Sequence, residues 1–302
     1  AAGGDIAGAV ATETAANVEG VEVQLSGSQS MVYMTDATGS FNFSGLAQGG
    51  DYTITPQKDQ NHLNGVSTFD LVLISKHILG VSQLDSPYKL IAADVNNSQS
   101  ITTLDLIQLR KLILNIDTEF ANNTSWRFID KAHTFANPSN PWTAAIPEFK
   151  NINNLGDSAE AEFVAVKVGD VNGSATVEAR AATGAFAINT AEQAMIAGNE
   201  YTIEFSADMA NVAGYQFTLD VNNAEIVDVV YGAAKAENFG IFTKEGVVTT
   251  SFNGEAAGSL FSLVVRATAD VNVSEAIQVS SRYAAAEAYT NDAELLDVAL
   301  NV

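Results

Sequence analysis

The stretch Asp94-Val-Asn-Asn-Ser-Gln-Ser-Ile-Thr-Thr-Leu-Asp105 has a similar counterpart earlier in this chain. A run with an apolar face follows it over residues 106–114. The earlier copy begins at Asp59, 35 positions before Asp94. The matched pairs are Asp59 with Asp94, Asn61 with Asn96, Ser67 with Thr102, Thr68 with Thr103, and Asp70 with Asp105. The apolar residues behind each copy recur at helical spacing. The chain therefore contains a duplicated unit, predicted to be an oxygen-rich loop followed by a helix.

Both copies match the ligand spacing of a twelve-residue calcium loop. Such a loop uses side-chain oxygens at positions 1, 3 and 5, a backbone carbonyl at 7 and a carboxylate at 12. The second copy supplies Asp94, Asn96, Ser98, the Ser100 carbonyl and Asp105, with Thr102 near position 9. Calcium is bound by six to eight oxygens, and this mixture of charged and neutral donors predicts a calcium site.

The first copy matches the calcium-loop pattern less well, and a third occurrence of the beginning of the motif, at Asp170, is incomplete. The first copy supplies Asp59, Asn61, Leu63, the Gly65 carbonyl and Asp70, with Ser67 near position 9. Leu63 offers only its backbone oxygen at position 5. A further Asp170-Val-Asn172 repeats the start at Asp94, but its twelfth position is Ala181. We therefore leave Asp170 and Asn172 open, as a third cation site or a turn.

A simpler explanation covers the same residues. Asp and Asn favour turns because their side chains bond to nearby backbone. Thr68 and Thr103 are also consistent with plain helix N-caps. Two copies in register with their helices favour the calcium interpretation over this one.

The duplicated loop and helix resemble a type I dockerin module, which resembles a pair of half EF-hands. Position 12 is Asp in both copies, and no helix is predicted before the first loop, unlike in an ordinary EF-hand. Asn64 and Gln99 replace the usual Gly at position 6. The resemblance implies calcium as the bound ion and a cohesin-type protein as partner.

The flanking segments read as β-structure. Residues 1–57 show short alternating runs, such as Val21-Glu-Val-Gln-Leu and Gly39-Ser-Phe-Asn-Phe, and resemble a carboxypeptidase-regulatory-like β-sandwich. Residues 181–302 contain seven further runs with frequent turns. Gly214-Tyr-Gln-Phe-Thr-Leu and Leu260-Phe-Ser-Leu-Val-Val resemble a cohesin-type β-sandwich. The order of the three segments resembles the C-terminal regions of large secreted or surface proteins of Bacteroidota.

We predict a mainly β multidomain protein. Its expected domains are a β-sandwich over 1–57, a duplicated dockerin-like module with a loop-rich extension over 58–180, and a cohesin-like β-sandwich over 181–302. The extension carries several aromatic residues, of which Trp126 and Trp142 are either core residues or a platform for stacking sugars. The length of 302 residues agrees with two or three domains.

The composition limits the partners and the chemistry that this chain can have. The formal net charge is -22, from 36 acidic and 14 basic residues, which argues against nucleic acid and anionic membrane surfaces as partners. No cysteine is present, which excludes disulfides and thiolate chemistry. No apolar run is long enough for a membrane span. The start Ala1-Ala-Gly-Gly has no basic and apolar leader, as expected of a mature or trimmed chain.

No catalytic motif accompanies the three histidines, His62, His77 and His133. We therefore expect a non-catalytic, calcium-binding structural or adhesive protein, extracellular or on a bacterial cell surface. Calcium would fix the orientation of its β-domains. One alternative is an assembly subunit that forms a filament or complex through dockerin-like and cohesin-like contacts. A second alternative is a carbohydrate-binding accessory module that binds polysaccharide.

Overall fold

The structure is a computed structural model that describes residues 3–176, 181–256 and 258–302. It is mainly β with few helices. The strands are β1 (Gly4–Ala11), β2 (Glu22–Gly27), β3 (Met31–Met34), β4 (Ser40–Leu46), β5 (Tyr52–Gln57), β6 (Trp126–Asp130), β7 (Lys150–Ile152), β8 (Ser158–Glu160), β9 (Phe163–Lys167), β10 (Gly184–Asn189), β11 (Ala194–Met195), β12 (Glu200–Ser206), β13 (Val212–Val221), β14 (Ala224–Tyr231), β15 (Phe239–Phe242), β16 (Val247–Asn253), β17 (Ser259–Ala267), β18 (Val271–Asn272), β19 (Ile277–Ser280), β20 (Glu287–Thr290) and β21 (Leu295–Asn301). The helices are α1 (Thr68–Ile78), α2 (Pro87–Ala93), α3 (Thr103–Ile113) and α4 (Val273–Ala276), with 3-10 turns at Pro141–Thr143, Ser174–Thr176 and Ala236–Asn238.

The chain divides into two units that alternate along the sequence. Unit 1 comprises Ala1–Val66, Gly80–Asp105 and Glu119–Glu178. Unit 2 comprises Ser67–Leu79, Leu106–Thr118 and Ala179–Val302. The predicted middle domain, 58–180, is therefore shared between the two units in this division.

Unit 1 is built on two sheets with one core. One sheet has the order β4-β1-β9-β6, with β8 also beside β1, and the other has the order β3-β2-β5-β7. Residues of β2 and β4 alternate between buried and exposed, as expected of strands with one covered face. The core between them includes Ile6, Phe43, Tyr52, Trp126 and Phe163.

The sequence boundary at residue 57 falls inside this sandwich. Strand β9 pairs with β1 in parallel through Val10 and Phe163, and β7 pairs with β5. The N-terminal strands thus share their sheets with strands from beyond residue 125. Pairing over such a separation leaves no local pattern in the sequence, so the alternating runs of residues 1–57 could not show that later strands share their sheets.

Unit 2 contains a ten-stranded sheet in the order β14-β17-β12-β10-β21-β20-β13-β16-β15, with β19 beside β13, and a two-stranded ribbon of β11 and β18. Stacked aromatic rings occupy its core, including Tyr215 against Phe217 and Phe205 against Phe261. Every run predicted as a strand over 181–302 lies on a strand of the structure. The alternation of buried and exposed residues in strands such as β12 explains why these runs were readable.

Candidate metal centre

The ends of the loop 94–105 are two buried aspartates. Asp94 ends helix α2, and its backbone N–H donates to the Leu90 carbonyl at 3.2 Å. Asp105 lies in the first turn of α3. Both side chains are fully buried, with 0% exposure. Burial of charged groups is costly unless they are paired or bind a metal, so these two carboxylates mark the loop as a candidate site.

Backbone and hydroxyl groups of the loop donate to both carboxylates. Asp94 Oδ1 accepts from the Ser98 N–H at 2.8 Å, and Oδ2 accepts from the Gln99 N–H at 2.8 Å. Asp105 Oδ1 accepts from the Asn96 N–H at 3.2 Å. Asp105 Oδ2 accepts from the Thr102 N–H at 2.8 Å and from its hydroxyl at 3.2 Å. These bonds close the loop on itself and hold positions 1 and 12 in place.

The neutral donors are arranged inside the same turn. Asn96 Oδ1 accepts from the Ser98 N–H at 3.0 Å, and the Ser98 hydroxyl donates to the Ser100 carbonyl at 3.2 Å. The backbone is left-handed at Asn97 (φ 55°) and at Gln99 (φ 63°). Gln99 is position 6, where calcium loops usually have Gly, and the positive φ explains that preference.

The electrostatics of the loop favour a bound cation. Burial raises the pKa of the Asp94 carboxyl, and repulsion from Asp105 raises it further, while amide hydrogen bonds and Arg127 partly offset this. Arg127 itself pairs with Glu148. Within the described residues, no lysine, arginine or histidine forms an ion pair with Asp94 or Asp105. A divalent ion would supply the missing positive charge.

The donor set fits calcium better than a transition metal. Across residues 3–176, 181–256 and 258–302, no three His, Asp or Glu side chains are grouped to hold a metal. The loop instead offers two carboxylates with amide, hydroxyl and carbonyl oxygens. Hard cations such as calcium accept this set, whereas zinc prefers imidazole and thiolate.

The predicted first loop, 59–70, is divided between unit 1, which holds residues 59–66, and unit 2, which holds residues 67–70. In unit 1, Asp59 is exposed by 55%, and its Oδ1 accepts from the Ser125 N–H at 2.8 Å and pairs with His62 at 3.1 Å. Asn61 is exposed and left-handed (φ 54°), and Leu63 is half-buried. The Gly65 carbonyl accepts from the Ser174 hydroxyl at 2.8 Å. Asp59 and Asn61 therefore lack the enclosed setting of Asp94 and Asn96.

Asp70 in unit 2 repeats the setting of Asp105. It is fully buried, and its Oδ2 accepts from the Ser67 N–H at 2.9 Å and from the Ser67 hydroxyl at 3.2 Å. The Ser67 hydroxyl also accepts from the Phe69 N–H, so Ser67 is the N-cap of α1 and Asp70 completes a capping box. The capping interpretation is thus correct in kind, but the cap is Ser67 and not Thr68.

The third start, at Asp170, forms a tight polar turn in unit 1. Asp170 is buried, and its Oδ1 accepts from the N–H groups of Gly173 at 2.8 Å and Ser174 at 3.1 Å. Its Oδ2 accepts from the Ala175 N–H at 2.8 Å. Asn172 Oδ1 accepts from the Ser174 N–H at 2.9 Å. Burial raises the pKa of the Asp170 carboxyl, while these hydrogen bonds and the positive charge of Lys167 oppose the rise.

The sequence analysis predicted a helix behind each loop, but it did not predict α2, which lies between α1 and the loop 94–105. It has only seven residues, so its apolar face is too short to give a clear period. Its start carries a usable signal, Ser86 followed by Pro87. The Ser86 hydroxyl accepts from the Tyr88 N–H at 3.1 Å, and Pro is favoured in the first turn. The helix contributes to the candidate site because its last turn ends at Asp94, the first residue of the loop.

The two tryptophans have different environments. Trp126 is 4% exposed and belongs to the core of unit 1. Trp142 is half-buried, and its indole N–H is buried without a hydrogen-bond partner among the described residues. A pair of exposed rings for stacking on sugar is therefore missing from these two positions. The carbohydrate alternative loses Trp126 as a contact.

The helices of unit 2 contact its sheet through polar groups. Helix α1 packs on β13 and β16, where the Thr68 N–H donates to Gln216 Oε1 at 2.7 Å and the Thr68 hydroxyl bonds with Ser251 Oγ at 2.7 Å. From α3, Arg110 donates to the Ser251 carbonyl at 2.8 Å and to Asn253 Oδ1 at 2.6 Å. Burial lowers the pKa of the Arg110 guanidinium.

An apolar contact accompanies these bonds. The Phe69 and Tyr289 rings stack at 5.3 Å, and Val72 joins them in a buried cluster. The sheet of unit 2 therefore covers the apolar side of α1 within the same chain. A partner that bound this side of α1 would have to displace the sheet.

Comparisons with known proteins give structural matches alone. No family model matches the chain, and no curated protein matches it. A chain of the Coh-OlpC-Doc435 type I cohesin–dockerin complex from Clostridium thermocellum is 13% identical, with 41% of this chain and 94% of that chain covered, at a TM-score of 0.30.

Two further matches are of the same kind. A chain of the Coh-OlpA-Doc918 complex from Clostridium thermocellum is 11% identical, covering 39% of this chain and 94% of that chain, at a TM-score of 0.29. The type II cohesin A11 from Bacteroides cellulosolvens is 12% identical, covering 38% of this chain and 95% of that chain, at a TM-score of 0.30. Among the described residues, no helix is both long and apolar enough to cross a membrane.

Proposed function

We propose that this chain is a non-catalytic, calcium-binding structural protein of the extracellular space or a bacterial cell surface. The observation that carries the proposal is the loop 94–105, where two fully buried carboxylates share one turn without a basic ion-pair partner among the described residues. Neutral oxygens of Asn96, Ser98 and Ser100 lie in the same turn. The proposal includes the prediction that the repeat is a dockerin-like module.

The ligands of the loop would be Asp94, Asn96, Ser98, the Ser100 carbonyl and Asp105. When bound, calcium supplies the positive charge that the two buried carboxylates need. Asp94 ends α2 and Asp105 begins α3, so the donors tie two helix termini together. The ligands are not assembled in the unfolded chain, and binding free energy therefore becomes folding free energy. The function is to stiffen the polypeptide, with no reaction to catalyse.

An extracellular setting agrees with the expected affinity. Calcium modules that work outside cells bind with a Kd of roughly 10⁻⁴ to 10⁻³ M. The net charge of -22 also suits a chain that carries bound divalent cations, because they offset part of its self-repulsion.

Isothermal titration calorimetry on chelator-treated protein tests the proposal. We expect saturable calcium binding with a Kd between about 10⁻⁵ and 10⁻³ M, reversed by EGTA. Magnesium is the matched control and should bind more weakly, because it demands a rigid octahedral set of ligands. Absence of calcium binding by calorimetry and by equilibrium dialysis would reject the function.

Assembly through a protein partner is a second candidate, favoured by strand β3. This strand is the edge of its sheet, and all four of its residues are exposed, with Val32 at 61% and Met34 at 53%. An exposed apolar edge strand is a template for pairing with another chain. We expect light scattering at millimolar calcium to show association that Val32→Lys weakens at least several-fold. A monomer at all accessible concentrations would contradict this candidate.

A further inference from the structure

The turn that starts at Asp59 does not have the conformation of the turn that starts at Asp94. The side chain of Asp59 is 55% exposed, whereas Asp94 is fully buried. The left-handed residue is the third of the first turn, Asn61, but the fourth of the second, Asn97. Asp59 Oδ1 is already bonded to the Ser125 N–H and paired with His62. Equal spacing in sequence has therefore not produced equal geometry.

The turn that starts at Asp170 does reproduce the Asp94 turn. The two sequences are Asp170-Val-Asn-Gly-Ser and Asp94-Val-Asn-Asn-Ser. In each turn, the N–H of the fifth residue donates to Oδ1 of the first, at 3.1 Å and 2.8 Å, and the N–H of the sixth donates to Oδ2 of the first, at 2.8 Å in both. The third residue's Oδ1 accepts from the fifth N–H at 2.9 Å and 3.0 Å. The left-handed fourth residue recurs as well, since Gly173 has a φ of 78°.

A contact between distant segments completes the parallel. In the loop 94–105, the hydroxyl at position 5, Ser98, donates to the carbonyl at position 7, Ser100, at 3.2 Å. In unit 1, the corresponding hydroxyl, Ser174, donates to the Gly65 carbonyl at 2.8 Å. Gly65 is position 7 of the predicted first loop, so the later turn takes the place that residues 59–63 would occupy.

The Gly65 backbone is shaped for this contact. A Cβ at Gly65 would lie 2.5 Å from the Ala175 backbone nitrogen, so only glycine allows the approach. Asn64 also donates from its side chain to the Ala175 carbonyl at 3.2 Å. Two independent contacts therefore hold the segment 64–65 against the turn 170–175.

We propose that Asp170, Asn172, Ser174 and the Gly65 carbonyl form a discontinuous calcium site, with Asp170 replacing Asp59 as the ligand at position 1. This inference rests on the proposed function, since it assigns ligands of a calcium-binding module. All four proposed ligands lie in unit 1. The inference also explains why a leucine is present at position 5 of the first loop, because the Ser174 hydroxyl supplies the side-chain oxygen that Leu63 lacks.

The buried charge of Asp170 gives the site its reason to bind a cation. The residue is 7% exposed, and none of the ion pairs formed by the described residues includes it. The Lys167 ammonium, which donates to the His62 and Val168 carbonyls, lies near enough to offset part of its charge. Asp170 thus combines a buried carboxylate with neighbouring amide, hydroxyl and carbonyl oxygens, as Asp94 does. A turn that served only to reverse the chain at the surface would not require a buried carboxylate.

The test is the number of calcium ions bound by the full chain with Asp170→Asn and with Asp59→Asn as matched control. Both substitutions remove one charge and keep an oxygen that accepts hydrogen bonds. Calorimetry, with bound calcium counted by elemental analysis after gel filtration, should give two ions for wild type and for Asp59→Asn. It should give one for Asp170→Asn.

Several outcomes would overturn the inference. They are two ions in Asp170→Asn, one ion in Asp59→Asn, or one ion in the wild type. Absence of binding in wild type would reject the proposed function as well. If Asp170→Asn fails to fold by circular dichroism, Ser174→Ala replaces it, and we expect roughly tenfold weaker binding at one of two sites. Unchanged affinity in Ser174→Ala would also overturn the inference.

Discussion

Replacing Asp105 with Asn is expected to remove the calcium-dependent stability of the loop 94–105, about 2 kcal/mol of unfolding free energy. The figure follows from mass action at 5 mM calcium for a Kd of about 10⁻⁴ M. Asp105 is fully buried and is one of only two carboxylates of the loop. Asn keeps an oxygen that accepts from Asn96 or Thr102 but carries no charge. The substitution therefore separates ion binding from local hydrogen bonding.

The decisive measurement is the difference between two thermal melts, one in calcium and one in EGTA. In EGTA, we expect Asp105→Asn to be as stable as wild type or slightly more stable, because repulsion with Asp94 is relieved. In calcium, the variant should lack the rise in Tm that wild type shows. Asp117→Asn is the matched control, since this aspartate is exposed and lies outside the loop.

An equal loss of stability in both buffers would contradict the expectation. It would mean that Asp105 acts only through the hydrogen bonds to Thr102 at the start of α3. Loss of a helix cap costs about 1 kcal/mol and does not depend on calcium. The two roles of Asp105 thus predict different dependence on the ion.

Local patterns in the sequence were sufficient for most strands and for the closed polar turn over residues 94–105. Strands such as β2 and β12 bury alternate residues, and that period survives in the sequence. The loop 94–105 is local in its oxygen ligands, which all lie within twelve residues, although Asn123 and Arg127 also donate hydrogen bonds to it from outside.

Distant pairing explains what the sequence could not provide. The partner of β1 in its sheet is β9, and the partner of Gly65 is Ser174. Neither pairing has a period or a motif that links the two segments. The repeated Asp170-Val-Asn172 was visible, but its incomplete tail made a turn the simpler reading. The Gly65 carbonyl that Ser174 contacts lies more than a hundred residues earlier in the chain.

The second large effect is expected from Arg110→Ala in unit 2, about 3 kcal/mol of local stability where α3 meets the sheet. Arg110 donates to the Ser251 carbonyl at 2.8 Å and to Asn253 Oδ1 at 2.6 Å. Hydrogen bonds from a charged donor contribute roughly 1.5–3 kcal/mol each. The Ser251 carbonyl keeps its bond from Asn238 Nδ2 at 2.7 Å, so the expected loss is that of the Arg110 bonds themselves. Alanine keeps helix propensity, so the loss reports the contact and not the helix.

Hydrogen exchange is the suitable measurement, because a chain of two units need not unfold in one step. Arg110→Ala should increase exchange in peptides that cover α3 and β16, by roughly a hundredfold where 3 kcal/mol of protection is lost. Lys111→Ala is the matched control, as the next residue on the same helix with the same charge and an exposed side chain. It should leave both peptides unchanged.

Thr68→Val tests the contact between α1 and the same sheet. It removes the hydroxyl that bonds with Ser251 Oγ at 2.7 Å, while the Thr68 N–H keeps its bond to Gln216. Ser251 therefore receives a contact from each helix, through its hydroxyl and its carbonyl. If the helices dock on the sheet as one surface, Thr68→Val and Arg110→Ala should be non-additive in a double-mutant cycle. Strict additivity, with protection of α3 unchanged by Thr68→Val, would show instead that each helix docks on its own.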